Sequence, residues 1–296
     1  MKFITFFIAT IVLGSCHSQP ASLKLKKNSN DNSLLWEVSG NGLNSPSFLF
    51  GTFHLMCKED INFSGPVVAA IKSSDKVYME LKLDDPSMMQ GGILLMNMKE
   101  GKQLKDLYTI TEYNRLSKFF KDSIGMSLSI FQGMKPYFLE ALIYPKMMPC
   151  KSMSGIEEEL IKISKLYKKE IRGLETVEFQ AAVFDSIPYQ QQARELLKSI
   201  DSLQDFKTAL ETMLTAYKGQ QLDEIEKLLN KSEFGMQENK DLLLDKRNKK
   251  WVSELKNIMI KEPVFVAVGA GHLVGKTGLI ALLVKEGYTL RPLSNK

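Results

Sequence analysis

Apolar and polar positions divide the chain into two regimes: short β-favouring stretches at both ends, and a helical period between them. Leu34-Leu35-Trp36-Glu37-Val38 predicts a first strand. The turn formers Gly40-Asn41-Gly42 and Asn44-Ser45-Pro46 lead from it into a second, residues 48–54, so the pair forms a hairpin. Ser64-Gly65-Pro66 starts a short helix reaching Ile71, and Lys76-Val77-Tyr78-Met79-Glu80-Leu81 is a third strand with one carboxylate in a largely apolar run. From there the spacing predicts helices over 86–98, 111–124, 136–148, 154–168, 177–184, 188–217, 222–229 and 242–260, interrupted by a short strand at 170–174. Ser154-Gly155-Ile156-Glu157 matches a capping box. A strand at 264–268, a helix at 276–285 stopped by Gly287, and a strand at 288–292 close the chain. The pattern predicts an α/β (α+β) fold, with a mixed sheet built from both chain ends and a large helical insertion that caps it.

Two of these strands end alike. Phe48-Leu49-Phe50-Gly51-Thr52-Phe53-His54 and Val264-Phe265-Val266-Ala267-Val268-Gly269-Ala270-Gly271-His272 both run from apolar strand into Gly-x-x-His. Glycine lets the backbone turn sharply or approach another group where a strand ends, and imidazoles placed there can converge on a metal or a substrate. The bland alternative is two structural histidines, against which the matching contexts count. Glu80 is costly to bury unless paired or metal-bound, although strand alternation puts Tyr78, Glu80 and Lys82 on one face, which could equally be exposed. Two imidazoles and a carboxylate form a common catalytic zinc set, and other divalent metals use the same donors. The short His-Glu-x-x-His helix motif is absent, so such a site must be assembled from distant segments: His54, Glu80 and His272.

Composition adds the N-terminus and the cysteines. The 296 residues are 44% hydrophobic and 25% charged, enough for one large domain, and the net charge of +5 comes from interspersed charges that give no nucleic-acid footprint. Met1-Lys2 precedes an apolar run of residues 3–13, too short to span a bilayer, and then Leu13-Gly14-Ser15-Cys16. That tetrapeptide resembles a bacterial lipobox. By that resemblance residues 1–15 are a signal peptide, Cys16 carries lipid, and the chain is exported and anchored to a bacterial membrane, on its periplasmic or outer-membrane face. Residues 16–32 are polar and suit a flexible tether that contains the third histidine, His17, which leaves 33–296 as the folded domain. In an oxidising space the two further cysteines, Cys57 and Cys150, most simply pair; a thiolate ligand or nucleophile at Cys57 is the sharper alternative.

The chain resembles the TraB/PrgY/GumN family, to which the Tiki membrane metalloproteases are related. The residues that carry the resemblance are Leu35-Trp36, Phe50-Gly51-Thr52-Phe53-His54, Tyr78-Met79-Glu80, Gly173-Leu174-Glu175-Thr176, Arg247-Asn248 and Val268-Gly269-Ala270-Gly271-His272-Leu273, with Gly275 and Gly287-Tyr288. The resemblance implies a metal-dependent hydrolase, most readily a peptidase, acting on a peptide or small-molecule substrate with Mn, Co or Zn. Erythromycin esterases and a haem-binding bacterial lipoprotein are similar in fold, so a non-catalytic haem or small-molecule binder is the alternative. It places function on His54, Glu80 and His272 as metal and catalytic residues, with Glu80 either ligand or base. Arg247 would stabilise an oxyanion or be a surface helix arginine, and Glu175 would support the ligands, act as base or cap a helix. Two further stretches remain. Gly269-Ala270-Gly271-His272-Leu273-Val274-Gly275-Lys276-Thr277 misses the phosphate-binding loop pattern by one residue, so no nucleotide is expected. The Met-rich residues 88–98 suit a packed helix or an adaptable apolar contact.

Overall fold

The computed structural model describes residues 32–85, 92, 95–231 and 238–295. The signal segment, Cys16, nearly all of the tether and most of the Met-rich stretch lie outside the described residues. Eight strands are present among the described residues: β1 (Leu35–Gly40), β2 (Ser47–Thr52), β3 (Met56–Cys57), β4 (Lys76–Leu81), β5 (Met153–Ser154), β6 (Glu170–Glu175), β7 (Val264–Gly269) and β8 (Tyr288–Leu293). Six of them form one mixed sheet in the order β6-β4-β7-β2-β1-β8. Both chain ends contribute, because β1 pairs antiparallel with β2 on one side and with β8 on the other. The central strands β2 and β7 are almost wholly buried, as is the middle of β4, and their apolar runs are those of a sheet covered on both faces. Between β4 and β7 the chain is mainly helical, apart from β5 and β6, and this insertion caps the sheet.

Sequence expectation and structure part at identifiable points. The single helix expected over 188–217 is two, Tyr189–Asp201 and Leu203–Lys218, broken at Ser202 where the backbone leaves helical geometry. The helix expected over 136–148 is likewise two short pieces, Pro136–Glu140 and Tyr144–Met147; Pro145, near the start of the second, has no N–H to continue the first. The helix expected from residue 276 begins only at Leu279. The capping box is also absent. Gly155 is the N-cap of the helix Ile156–Leu166, and the hydroxyl of Ser154 donates to the side chains of Glu158 and Glu159. Glu157 is thereby free to point elsewhere.

A second, two-stranded sheet joins β3 to β5, with Met56 opposite Ser154 and Cys57 opposite Met153. Beside it Cys57 and Cys150 form a disulfide, their Cα atoms 5.7 Å apart and 93 residues apart in sequence. The sulfurs bond each other, so neither offers a free thiolate, and the alternative of a reactive or metal-binding Cys57 falls.

Candidate active site

Four parallel strands end at one edge of the sheet, and each brings a polar side chain there. β2 lies beside β7 with Thr52 opposite Gly269, so the two Gly-x-x-His segments leave the sheet as neighbours. β4 is parallel to β7 on its other side and carries Glu80; β6 is parallel to β4 and ends on Glu175. Ligands in α/β folds characteristically bind at such carboxyl ends. After β7 the chain makes one tight turn, Ala270–His272, which buries the second histidine, while His54 lies just beyond the end of β2. Gly51 permits that packing: a Cβ on it would lie 3.0 Å from Leu273 and 3.2 Å from Ala270.

Gly269 marks the point of convergence. A Cβ there would meet Glu80 Oε1 at 3.3 Å, His272 Cδ2 at 3.7 Å and His54 Nε2 at 4.0 Å. The missing side chain leaves a small cradle ringed by the three residues singled out in the sequence. Glu80 Oε1 also accepts the Gly269 N–H at 2.9 Å and lies 3.7 Å from His272 Nε2.

Arg247 binds this edge together from below. Its helix, Lys246–Met259, also carries Asn248 and Trp251 and is preceded by a π-turn over Asp241–Asp245, a backbone irregularity often found at functional sites. The guanidinium reaches Glu80 Oε2 at 2.6 Å, Glu175 Oε2 at 2.8 Å and Oε1 at 3.0 Å, the Leu243 carbonyl at 2.9 Å and His272 Nε2 at 3.2 Å. These contacts engage Nε and both terminal nitrogens, which leaves no evident donor for an oxyanion. Arg247 is only 7% exposed, so the alternative of a surface arginine does not hold. Glu175, also buried, takes a further bond from Trp251 Nε1 at 3.0 Å, and both of its oxygens are occupied. It anchors Arg247 and is not placed to touch a substrate.

Charge follows from these contacts. Burial alone would raise the Glu80 carboxyl, but His272, Arg247 and the Gly269 N–H hold it down at about 2. Burial pushes His272 down to about 3, so at neutral pH its ring is uncharged, and the charges that keep Glu80 ionised are those of Arg247 and of the raised His54 imidazole. Asn248 fixes the His272 tautomer. Its Nδ2 donates to the carbonyls of His272 and Thr277, which leaves Oδ1 to accept His272 Nδ1–H at 2.6 Å and turns the Nε2 lone pair towards Glu80 and Arg247. His54 behaves oppositely. Its Nδ1 donates to Glu157 Oε1 at 2.8 Å, and that bond raises the imidazole to about 9 although the ring is 76% exposed.

Three contributors escaped the sequence reading. In the sequence Glu157 matches the last position of a capping box. Asn248 was noted only through its resemblance, although its place beside Arg247 on one helix pointed to a shared role. Trp251 carries a helical signal, four residues after Arg247, and its ring lies 4.5 Å from that of His272. In the stretch that misses the phosphate-loop pattern, Thr277 donates to Asp245 and Glu226 lies against Gly275.

The residues fit a divalent ion in donor type: an ionised carboxylate, a neutral buried imidazole whose Nε2 accepts an Arg247 N–H at 3.2 Å that an ion would displace, and a second imidazole whose Nδ1 is held by a carboxylate. His54 would release its Nε2 proton on binding one. The three donor atoms do not lie within 4.8 Å of one another; among the described residues only Cys57, Glu59 and Cys150 form such a group, and two of those are the disulfide.

The model of the TraB/PrgY/gumN family matches residues 34–292. The chain belongs to that family. The match runs from the start of β1 almost to the end of β8 and so takes in every strand that delivers a residue to the cradle. No curated protein and no solved structure matches the chain.

Proposed function

We propose that this TraB/PrgY/gumN member is a metal-dependent hydrolase, a peptidase, whose site is the cradle at Gly269. The observation that carries the reading is the convergence of His54, Glu80 and His272 around that one glycine. His54, Glu80 and His272 would hold the ion, which would activate a water and polarise the substrate carbonyl. Glu80 serves better as ligand than as base, since a carboxyl held at about 2 has little affinity for a proton at neutral pH. Arg247, itself anchored by Glu175, keeps it ionised and in place, and Asn248 fixes the His272 ring through Nδ1. His54, at the exposed rim, is the member of the set that an incoming substrate meets first.

We further propose that the protein is exported and tethered by lipid on Cys16. The Leu13-Gly14-Ser15-Cys16 sequence supports this, and a disulfide suits an oxidising compartment. No helix among the described residues is long and apolar enough to cross a membrane.

The test is metal content after purification, followed by hydrolysis of a peptide library with Mn, Co or Zn by the wild type and by His54→Ala and His272→Ala. Cleavage that needs added metal and is lost in both variants supports the reading. Equal activity in the variants removes it, and a Soret band on haem addition without any cleavage favours the ligand-binding alternative.

A further inference from the structure

The two imidazoles are held very differently. His272 is buried and clamped by Asn248, whereas His54 sits on a three-residue segment between β2 and β3 with its ring largely in solvent. An exposed side chain samples several rotamers unless something fixes it. Among the described residues the His54 ring makes one side-chain hydrogen bond, to the helix Ile156–Leu166, where Glu157 Oε1 accepts His54 Nδ1–H at 2.8 Å and, on the same oxygen, the Thr52 hydroxyl at 2.7 Å. Glu157 itself is only 12% exposed. The Ile156 N–H donates to the Phe53 carbonyl at 3.2 Å, and β3 pairs with β5 on the far side of His54, so the carboxylate and the imidazole are fixed to one another at both ends.

We propose that Glu157 is the positioning residue of His54: it fixes the ring through Nδ1 and thereby directs Nε2 to the cradle around Gly269. The assignment rests on the cradle being the site. It goes beyond that reading by adding a carboxylate from the helical insertion to a set otherwise delivered by the sheet and the helix Lys246–Met259. Glu157 does for the exposed histidine what Asn248 does for the buried one. Carboxylate partners of this kind typically alter metal affinity 10- to 100-fold when removed.

The experiment uses the full chain, wild type and Glu157→Ala, with Glu157→Gln as the shape-preserving control. In the metal-free protein, the Nδ1 proton of His54 is followed by NMR as a slowly exchanging downfield resonance; only three histidines need assigning. The resonance is expected in the wild type and absent in Glu157→Ala, while that of His272 persists and reports an intact fold. Zinc titration is expected to show affinity roughly 10- to 100-fold weaker in Glu157→Ala, with Glu157→Gln between the two. An unchanged His54 resonance in Glu157→Ala, or zinc affinities within twofold where the wild type binds zinc, overturns the proposal. A wild type that takes up no zinc while its His54 resonance depends on Glu157 removes the metal reading and supports the positioning role.

Discussion

At the scale of single residues, Arg247 has the largest predicted effect. It shares one buried guanidinium between two carboxylates, Glu80 and Glu175, and removing it strands both. Arg247→Met is expected to destabilise the protein by about 3–5 kcal/mol, read as a fall in the urea midpoint. Arg247→Lys should recover little, because an ammonium cannot reproduce the forked contacts to Glu175. Gly269→Ala probes the cradle itself. Its new Cβ would stand 3.3 Å from Glu80 Oε1, so metal affinity should drop roughly tenfold or more while far-UV circular dichroism is unchanged. A Gly269→Ala protein with wild-type affinity would show that the three side chains do not act at that point.

At the scale of elements, the helical insertion is tied to the sheet by β3, β5 and the Cys57–Cys150 disulfide. Closing a loop of 93 residues is worth about 4 kcal/mol by chain entropy, so reduction or a Cys57→Ser/Cys150→Ser double variant should lower unfolding stability by about that much. A second prediction concerns the junction of the helices Pro136–Glu140 and Tyr189–Asp201. Burial raises the Glu140 carboxyl from 4.5 to about 7, against the Ser199 hydroxyl that donates to it at 2.5 Å. A group whose pKa is raised by folding contributes stability below its unfolded value and loses it as pH climbs through the folded one. The Glu140 contribution should therefore fall between pH 4.5 and about 7, and Glu140→Gln should be the more stable form at pH 8 but not at pH 4. Denaturation at the two pH values checks the crossing.

These elements also show what the sequence made legible. The strands β2 and β7 were legible because they are buried on both faces and so read as short, nearly continuous apolar runs bounded by turn formers. The break at Ser202 was hidden, since both halves keep the helical period, whereas the one before Tyr144 is marked in the sequence by Pro145. His54 and His272 could be found because each follows an apolar strand through Gly-x-x-His, and Glu80 because it interrupts one. Glu157 could not, for a glutamate at the head of a charged helix looks the same whether it caps, faces water or turns inward to an imidazole 103 residues away.

At the scale of the whole molecule, the site results from strand direction. β2, β4, β6 and β7 are mutually parallel, so side chains from positions 54, 80, 175 and 272 arrive at one edge although the insertion separates them in sequence. The insertion then contributes Arg247, Asn248, Trp251 and Glu157 as the groups that orient and charge that edge. The proposed hydrolysis needs a single ion held at that edge. Anomalous diffraction at the manganese edge, from crystals of the full folded domain soaked in that metal, measures it directly. The predicted result is one peak bounded by His54, Glu80 and His272 that vanishes in His272→Ala; a peak elsewhere, or none at full soak, would contradict it.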